Sequence, residues 1–183
     1  MNFVLPDEAS AENAIMRYRD TWGEIARAKR DVLSLLASHS NFIGRAIIRD
    51  PGILDHILSG EYIDAPKPED VTLGETCGIC EVSSSVEHFL FSLRRYKYRE
   101  LSRIVYRSIV ADPPFEEIMA ELADLASSVL EASYRFFSRE FELGSSGRFV
   151  ILGMGKLGGR ELNLSSDIDL VYYYRGIKDP SPF

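Results

Sequence analysis

The chain has 183 residues, of which 45% are hydrophobic and 27% charged, an ordinary globular balance that excludes a disordered polymer. That length buries enough apolar surface for one domain, or one domain and part of a second, without a disulfide or metal staple. A net charge of -7 disfavours general nucleic-acid binding, which relies on many lysine and arginine contacts to phosphate.

The first sixty residues predict helices. Ile15, Tyr18 and Trp22 recur at helical spacing, as do Ile25, Val32, Leu35 and Leu36. Asp50-Pro51 predicts a helix start, with Asp50 as the cap and Pro51 in the first helical position; Gly60 ends that helix. Residues 61–79 contain two prolines, two glycines and five acidic residues, which predicts a loop or linker. A long helix is expected from about Glu81 to Val110, with Leu90, Leu93, Leu101, Ile104 and Val105 on one side. Arg95, Arg99, Arg103 and Arg107 follow at intervals of four on the opposite side. Ala111-Asp112-Pro113-Pro114 stops that helix, and a last one runs from Phe115 to about Leu143. Gly144-Ser145-Ser146-Gly147 predicts a flexible joint.

After the joint the pattern changes. Arg148–Leu152 and Ile168–Tyr174 are short runs rich in β-formers, and each predicts a strand. The fold class is therefore α+β, with a helical region over 1–145 and the beginning of a sheet-containing domain over 146–183. The early acidic segment does not resemble a signal peptide. No apolar run reaches the roughly 18 residues of a membrane span, so a cytoplasmic protein without a membrane partner is expected.

Between the two strands lies GMGKLGGRELNLSSDIDL, residues 153–170. Gly153, Gly155 and Gly158 fit the dinucleotide pattern G-x-G-x-x-G. Only seven residues separate Gly158 from Ser166, however, and a crossover helix between parallel strands needs about a dozen. The acidic pair suggests different chemistry. In a strand, residues two apart share a face, so Asp167 and Asp169 are expected side by side, with Ile168 and Leu170 turned to the core. Two carboxylates this close repel each other unless a cation lies between them. Mg²⁺ suits such a pair, since one or two carboxylates, waters and substrate phosphates commonly complete its shell. A turn of small residues with Lys156 beside it can approach a phosphate. Ser165 and Ser166 add hydroxyls. The combination describes metal-assisted phosphoryl or nucleotidyl transfer. A solvated Asp-x-Asp and an ordinary glycine turn are the plain structural alternative.

The same residues closely resemble the signature of the bifunctional glutamine synthetase adenylyltransferase/adenylyl-removing enzymes, within the DNA polymerase β-like nucleotidyltransferase superfamily. SNFIGRAIIRDPGILDHIL, LRRYKYRELSRIVYRSIV and FEEIMAELADLASSVLEA resemble that family in the same order. The resemblance implies two nucleotidyltransferase units in the whole enzyme. The helical lead-in and Ser165-Ser166 resemble the N-terminal unit, which removes AMP from a tyrosine of glutamine synthetase by phosphorolysis and yields ADP. It implies that Asp167 and Asp169 are the catalytic, Mg²⁺-binding pair. Gly158, Gly159, Ser165 and Ser166 match the nucleotide-phosphate loop, and Lys156 is a phosphate contact. The implied partners are glutamine synthetase, phosphate, the nucleotides ADP, ATP and AMP, and a PII-type signal protein in the full-length enzyme. The superfamily takes a third carboxylate from a later strand, and these 183 residues stop before one. The expectation is thus an inactive fragment: a truncated product, an excised piece or one part of a split enzyme. A non-catalytic helical interaction module is the alternative.

Other features carry less. Cys77 and Cys80 have metal-like or redox-like spacing, but a structural zinc needs four ligands and no second pair exists, so two spare loop thiols are expected. Residues 94–107 carry six basic side chains against one acidic, either a solvated helix face or a surface for phosphates or a partner. His39, His56 and His88 are given no role.

Overall fold

The structure is a computed structural model that describes residues 5–141 and 148–175. It is α+β: α1 (Glu8–Trp22), α2 (Arg27–His39), α3 (Asn41–Arg49), α4 (Gly52–Leu58), α5 (Glu69–Val82), α6 (Val86–Val110), α7 (Phe115–Glu140), β1 (Arg148–Met154), α8 (Gly155–Gly158) and β2 (Asp169–Arg175). No described helix is long and apolar enough to cross a membrane. The chain forms two compact units, residues 1–66 with 94–113 and residues 67–93 with 114–183. This division differs from the expected boundary near 145, because the strands group with α5 and α7. The expected joint at Gly144–Gly147 lies outside the described residues.

The first unit contains α1 to α4 and the part of α6 from Arg94 onward. α1 and α3 start where side-chain oxygens meet otherwise unpaired backbone donors. Asp7 Oδ1 accepts from the Ser10 amide at 2.9 Å, and Ser40 both ends α2 and caps α3. Apolar residues at helical spacing then merge into one core. Leu33, Leu36, Ile43, Ile47, Ile53 and Leu54 are fully buried, and each such side chain contributes roughly 1.5–3 kcal/mol. Tyr98, Leu101, Val105 and Ile109 of α6 pack against this core, as the apolar spacing predicts.

The arginine side of α6 differs from expectation. Its C-terminal part is not a solvated face: Arg103 and Arg107 are each 1% exposed, whereas the Arg95 side chain is 47% exposed. Arg103 Nε donates to Glu100 at 2.9 Å, and its Nη1 donates to the Tyr62 carbonyl at 2.8 Å. His56 pairs with the same Glu100 at 2.9 Å. Arg95 and Arg99 both reach Asp50. Charge alone offered these arginines a solvated face or a surface for phosphates or a partner. The carboxylates and carbonyls that the fold brings to them allow burial, because a buried charge is tolerated when it is paired and hydrogen-bonded.

The second unit corrects the expected linker at 61–79, since Glu69–Val82 is α5. Pro68 precedes its first residue and Glu69 and Asp70 occupy its first turn, where carboxylates favour the positive end of a helix. Thr72 and Thr76 are buried and return their hydroxyls to helix carbonyls. Buried Lys67 leads into it, its amide donating to Glu121 at 3.0 Å and its ammonium to Glu75 at 2.6 Å. Cys77 and Cys80 are therefore helical rather than loop thiols, and Cys80 joins Phe89, Leu93, Ala132 and Phe136 in a core. The Phe89 and Phe136 rings stack with centroids 4.1 Å apart. Ser83 ends α5, and the next helix begins at Val86 rather than near Glu81.

β1 and β2 form an antiparallel pair, with Phe149 opposite Tyr174, Ile151 opposite Tyr172 and Met154 opposite Asp169. Partners in such a register share a face. One face leans on α7, where Tyr134 stacks with Phe149 at 5.8 Å and Phe149 with Tyr172 at 5.7 Å. The opposite face carries Val150, Leu152, Met154, Val171 and Tyr173, all exposed.

Candidate functional site

The site is the connection between the two strands. Antiparallel pairing and a four-residue α8 exclude the crossover that the dinucleotide pattern requires, so the glycines serve a tight turn instead. Gly155 takes φ +54°, where a side chain is disfavoured. A Cβ on Gly158 would come within 2.5 Å of the Gly153 carbonyl oxygen, and one on Gly153 would meet Leu157 at 2.9 Å. Gly158 thus lets the chain close on itself. Backbone bonds seal the turn, with the Gly159 amide donating to the Gly155 carbonyl at 3.0 Å and the Glu161 amide to the Lys156 carbonyl at 2.8 Å. Leu157 and Leu162 are each 7% exposed and pin the loop from inside. Lys156, Gly158 and Gly159 face solvent.

The serines form a second turn. The Ser165 amide donates to Asn163 Oδ1 at 3.2 Å, and the Ser166 hydroxyl donates to the same oxygen at 2.8 Å. The Ser166 amide also reaches the Asn163 carbonyl at 3.1 Å. Asn163 organises this bend through its own side chain, a habit of asparagine in turns. The Ser166 hydroxyl is engaged in the bend, whereas Ser165 is exposed.

Asp169 opens β2 and Asp167 lies two residues before it, outside the strand. Strand alternation therefore does not set the direction of Asp167, contrary to the expectation drawn from spacing. Both aspartates are exposed. Ile168 is 40% exposed rather than turned to the core, and Leu170 is half-buried. Asp169 stands opposite Met154, on the sheet face away from α7. Its Oδ2 would lie 3.6 Å from a Cβ on Gly155, so the carboxylate overhangs the glycine turn where a side chain is missing.

This arrangement suits a hard cation. It offers carboxylates and hydroxyls and no soft ligand, and the space beside Asp169 is left open by Gly155. Among the described residues no three His, Cys, Asp or Glu side chains cluster closely enough to hold a metal by themselves. An ion here would depend on phosphate and water oxygens, as Mg²⁺ commonly does.

Three residues escaped the sequence reading. Asn163 has the turn-forming side chain that could have revealed it. Arg160 and Asp124 are joined across 36 residues, a pairing that no local pattern announces.

Comparison with known proteins bears on this connection directly. The family described as glutamate-ammonia ligase adenylyltransferase matches residues 30–181. A bifunctional glutamine synthetase adenylyltransferase/adenylyl-removing enzyme of Nitrosococcus oceani is 35% identical over 153 residues, covering 78% of this chain and 16% of that relative. The enzyme of the same name from Xanthomonas axonopodis pv. citri is 30% identical over 183 residues, covering 91% and 18%. That from Shewanella frigidimarina is 29% identical, covering 90% and 18%. The chain thus spans under a fifth of the length of these relatives. With the family match running through both the helices and the glycine–serine–aspartate connection, the chain belongs to the glutamate-ammonia ligase adenylyltransferase family.

Proposed function

We propose that this chain carries part of the nucleotidyltransferase site of a glutamine synthetase adenylyl-removing/adenylyltransferase enzyme, and that it belongs to the adenylyl-removing half. In the proposed reaction an oxygen of inorganic phosphate attacks the phosphorus of an adenylyl-tyrosine. The bond from phosphorus to the tyrosine oxygen breaks, leaving ADP and a free tyrosine hydroxyl. The observation that carries this reading is the Asp169 carboxylate overhanging an exposed turn at Gly155, where no side chain stands.

Asp169 and Asp167 would hold Mg²⁺, which supplies positive charge to phosphate oxygens that otherwise repel an anionic nucleophile. Gly155, Gly158 and Gly159 offer exposed backbone without a side chain of their own. Lys156, exposed on α8, supplies a mobile cation to a phosphate. Asn163 fixes the bend that leads into the aspartates, and Ser165 offers its hydroxyl on the exposed side.

Binding is the direct test, because the chain corresponds to under a fifth of the relatives' length. Calorimetric titration of ADP with and without Mg²⁺ should show metal-dependent binding, with amide shifts at Gly158, Asp167 and Asp169 in NMR spectra. Asp169→Asn should abolish the metal dependence. No binding by the wild-type chain, or binding that survives Asp169→Asn unchanged, overturns the reading.

A further inference from the structure

Arg160 follows the glycine pair and adopts φ +56°, a left-handed conformation in which only a few per cent of residues other than glycine are found. Glycine or asparagine would occupy this position with less strain, so the arginine side chain must contribute something that they lack. Its guanidinium reaches Asp124 on α7 through two contacts, Nη1 to Oδ1 at 2.6 Å and Nη2 to Oδ2 at 2.9 Å. Glu69, at the start of α5, lies 3.9 Å from Nη1. The Asp124 side chain is only 12% exposed, while that of Arg160 is 52% exposed.

Asp124 belongs to a buried polar stripe on α7 with Glu121 and Ser128, spaced three and four residues apart and so aligned on one helix face. A carboxylate buried this far requires a charge partner, and Arg160 provides one, with a hydrogen bond from Nη2 to Oδ2 and a close charge contact from Nη1 to Oδ1. The backbone at Arg160 is fixed from the other side as well: its amide donates to the Leu157 carbonyl at 3.1 Å. The loop is therefore held at one end by α8 and at the other by α7, immediately before the segment that leads to Ser165 and Asp167.

We propose that Arg160 and Asp124 are a positioning pair, which locks the Gly158–Gly159 turn onto α7 so that its backbone faces the phosphate of a nucleotide bound as Mg²⁺·ADP. This rests on the reading of the turn as part of a nucleotidyltransferase site. Neither residue touches the nucleotide; each acts through the turn.

The test uses the 183-residue chain with Asp124→Asn, Arg160→Gln, Arg160→Lys and the double variant Asp124→Asn/Arg160→Gln. Two quantities are measured: amide hydrogen exchange over Gly158–Glu161, and the dissociation constant for Mg²⁺·ADP. Arg160→Gln and Asp124→Asn should each speed exchange in the turn and weaken Mg²⁺·ADP about tenfold, the lower end of what outer-shell partners of metal sites contribute. The double variant should be no weaker than either single one, because a broken pair is lost once. Arg160→Lys should recover part of the affinity. Arg160→Lys keeps a cation beside Asp124 at a half-exposed position, so it keeps the proposal testable should Arg160→Gln or Asp124→Asn fail to fold. If Arg160→Gln binds Mg²⁺·ADP as tightly as wild type, or if the two losses add in the double variant, the positioning role is refuted while the site reading stands. If the wild-type chain binds no Mg²⁺·ADP, the site reading fails and the positioning role fails with it.

Discussion

Asp50 and Arg95 are joined across 45 residues, with Nε 2.7 Å from Oδ2. Arg99 Nε approaches the same oxygen at 3.2 Å, and Oδ1 accepts the Gly52 amide at 3.1 Å. One carboxylate thus begins α4 and ties it to α6. Partial burial opposes its ionisation, but the bonds from Arg95 and Arg99 outweigh that and hold the Asp50 carboxyl below the usual range. A carboxyl lowered in the folded state stabilises it above its unfolded value of about 3.9, and this stabilisation is lost as pH falls through the folded value. Asp50→Asn should therefore lower stability at pH 7, and its deficit should shrink at pH 3. Urea unfolding at the two pH values measures this; a deficit that does not shrink in acid would show that the charge is not what stabilises.

Glu100 and Arg103 form a buried ion pair with side-chain exposures of 2% and 1%. Removing one charge of a buried pair costs about 3–5 kcal/mol. Glu100→Ala should fall in that range by urea denaturation. Replacing both, as Glu100→Leu with Arg103→Met, should cost less than Glu100→Ala alone, because no charge is left unpaired. A double variant worse than the single one would indicate that the other contacts of this cluster, His56 and the Tyr62 carbonyl among them, dominate.

Cys77 and Cys80 share α5 but differ in surroundings. Burial pushes the Cys80 thiol up, with Arg139 opposing, and the thiolate is the reactive form. A maleimide at pH 7.5 should label half-buried Cys77 first, and Cys80 only as α5 opens locally. Cys80→Ser places a hydroxyl against Phe89 and Phe136 and should destabilise by about 1–3 kcal/mol. Cys77→Ser should change stability by less than about 0.5 kcal/mol. Equal labelling rates would mean that Cys80 is not enclosed.

The sequence made the α+β class legible because its two periods are distinct: apolar residues at helical spacing as far as α7, then β-formers around the glycine turn. What it hid has a common cause. α5 was unreadable as a helix because Gly74, Gly78 and the β-branched Val71, Thr72 and Thr76 lower its local propensity. Buried threonine hydroxyls, Lys67 and Glu121 supply the compensation from elsewhere in the unit. The burial of Arg103 and Arg107 fits neither of the two surfaces that the sequence offered for this face, and it was hidden because a partner such as Tyr62 lies far away in sequence. In the candidate site, the glycines and Asp169 were visible as a motif. The strand start that leaves Asp167 outside β2 was not, since element boundaries are the least legible part of a sequence.

Gly158 and Gly159 look equivalent in sequence, yet the structure separates them. A Cβ at Gly158 would come within 2.5 Å of the Gly153 carbonyl oxygen, a backbone atom that cannot swing away, whereas at Gly159 the nearest neighbour lies at an ordinary 3.5 Å. Gly159 also has φ -83°, which any residue adopts. Gly158→Ala should therefore destabilise the second unit by about 1–3 kcal/mol, the usual cost of forcing extra volume into a packed position. It should also displace the turn from beneath Asp169, so Mg²⁺·ADP binding should weaken along with stability. Gly159→Ala should leave thermal stability almost unchanged, so that any effect it has on Mg²⁺·ADP reflects the turn's exposed surface alone. Calorimetric melting and nucleotide titration of the two variants separate these cases. If Gly158→Ala is as well tolerated as Gly159→Ala in both measurements, the close approach to Gly153 does not shape the turn.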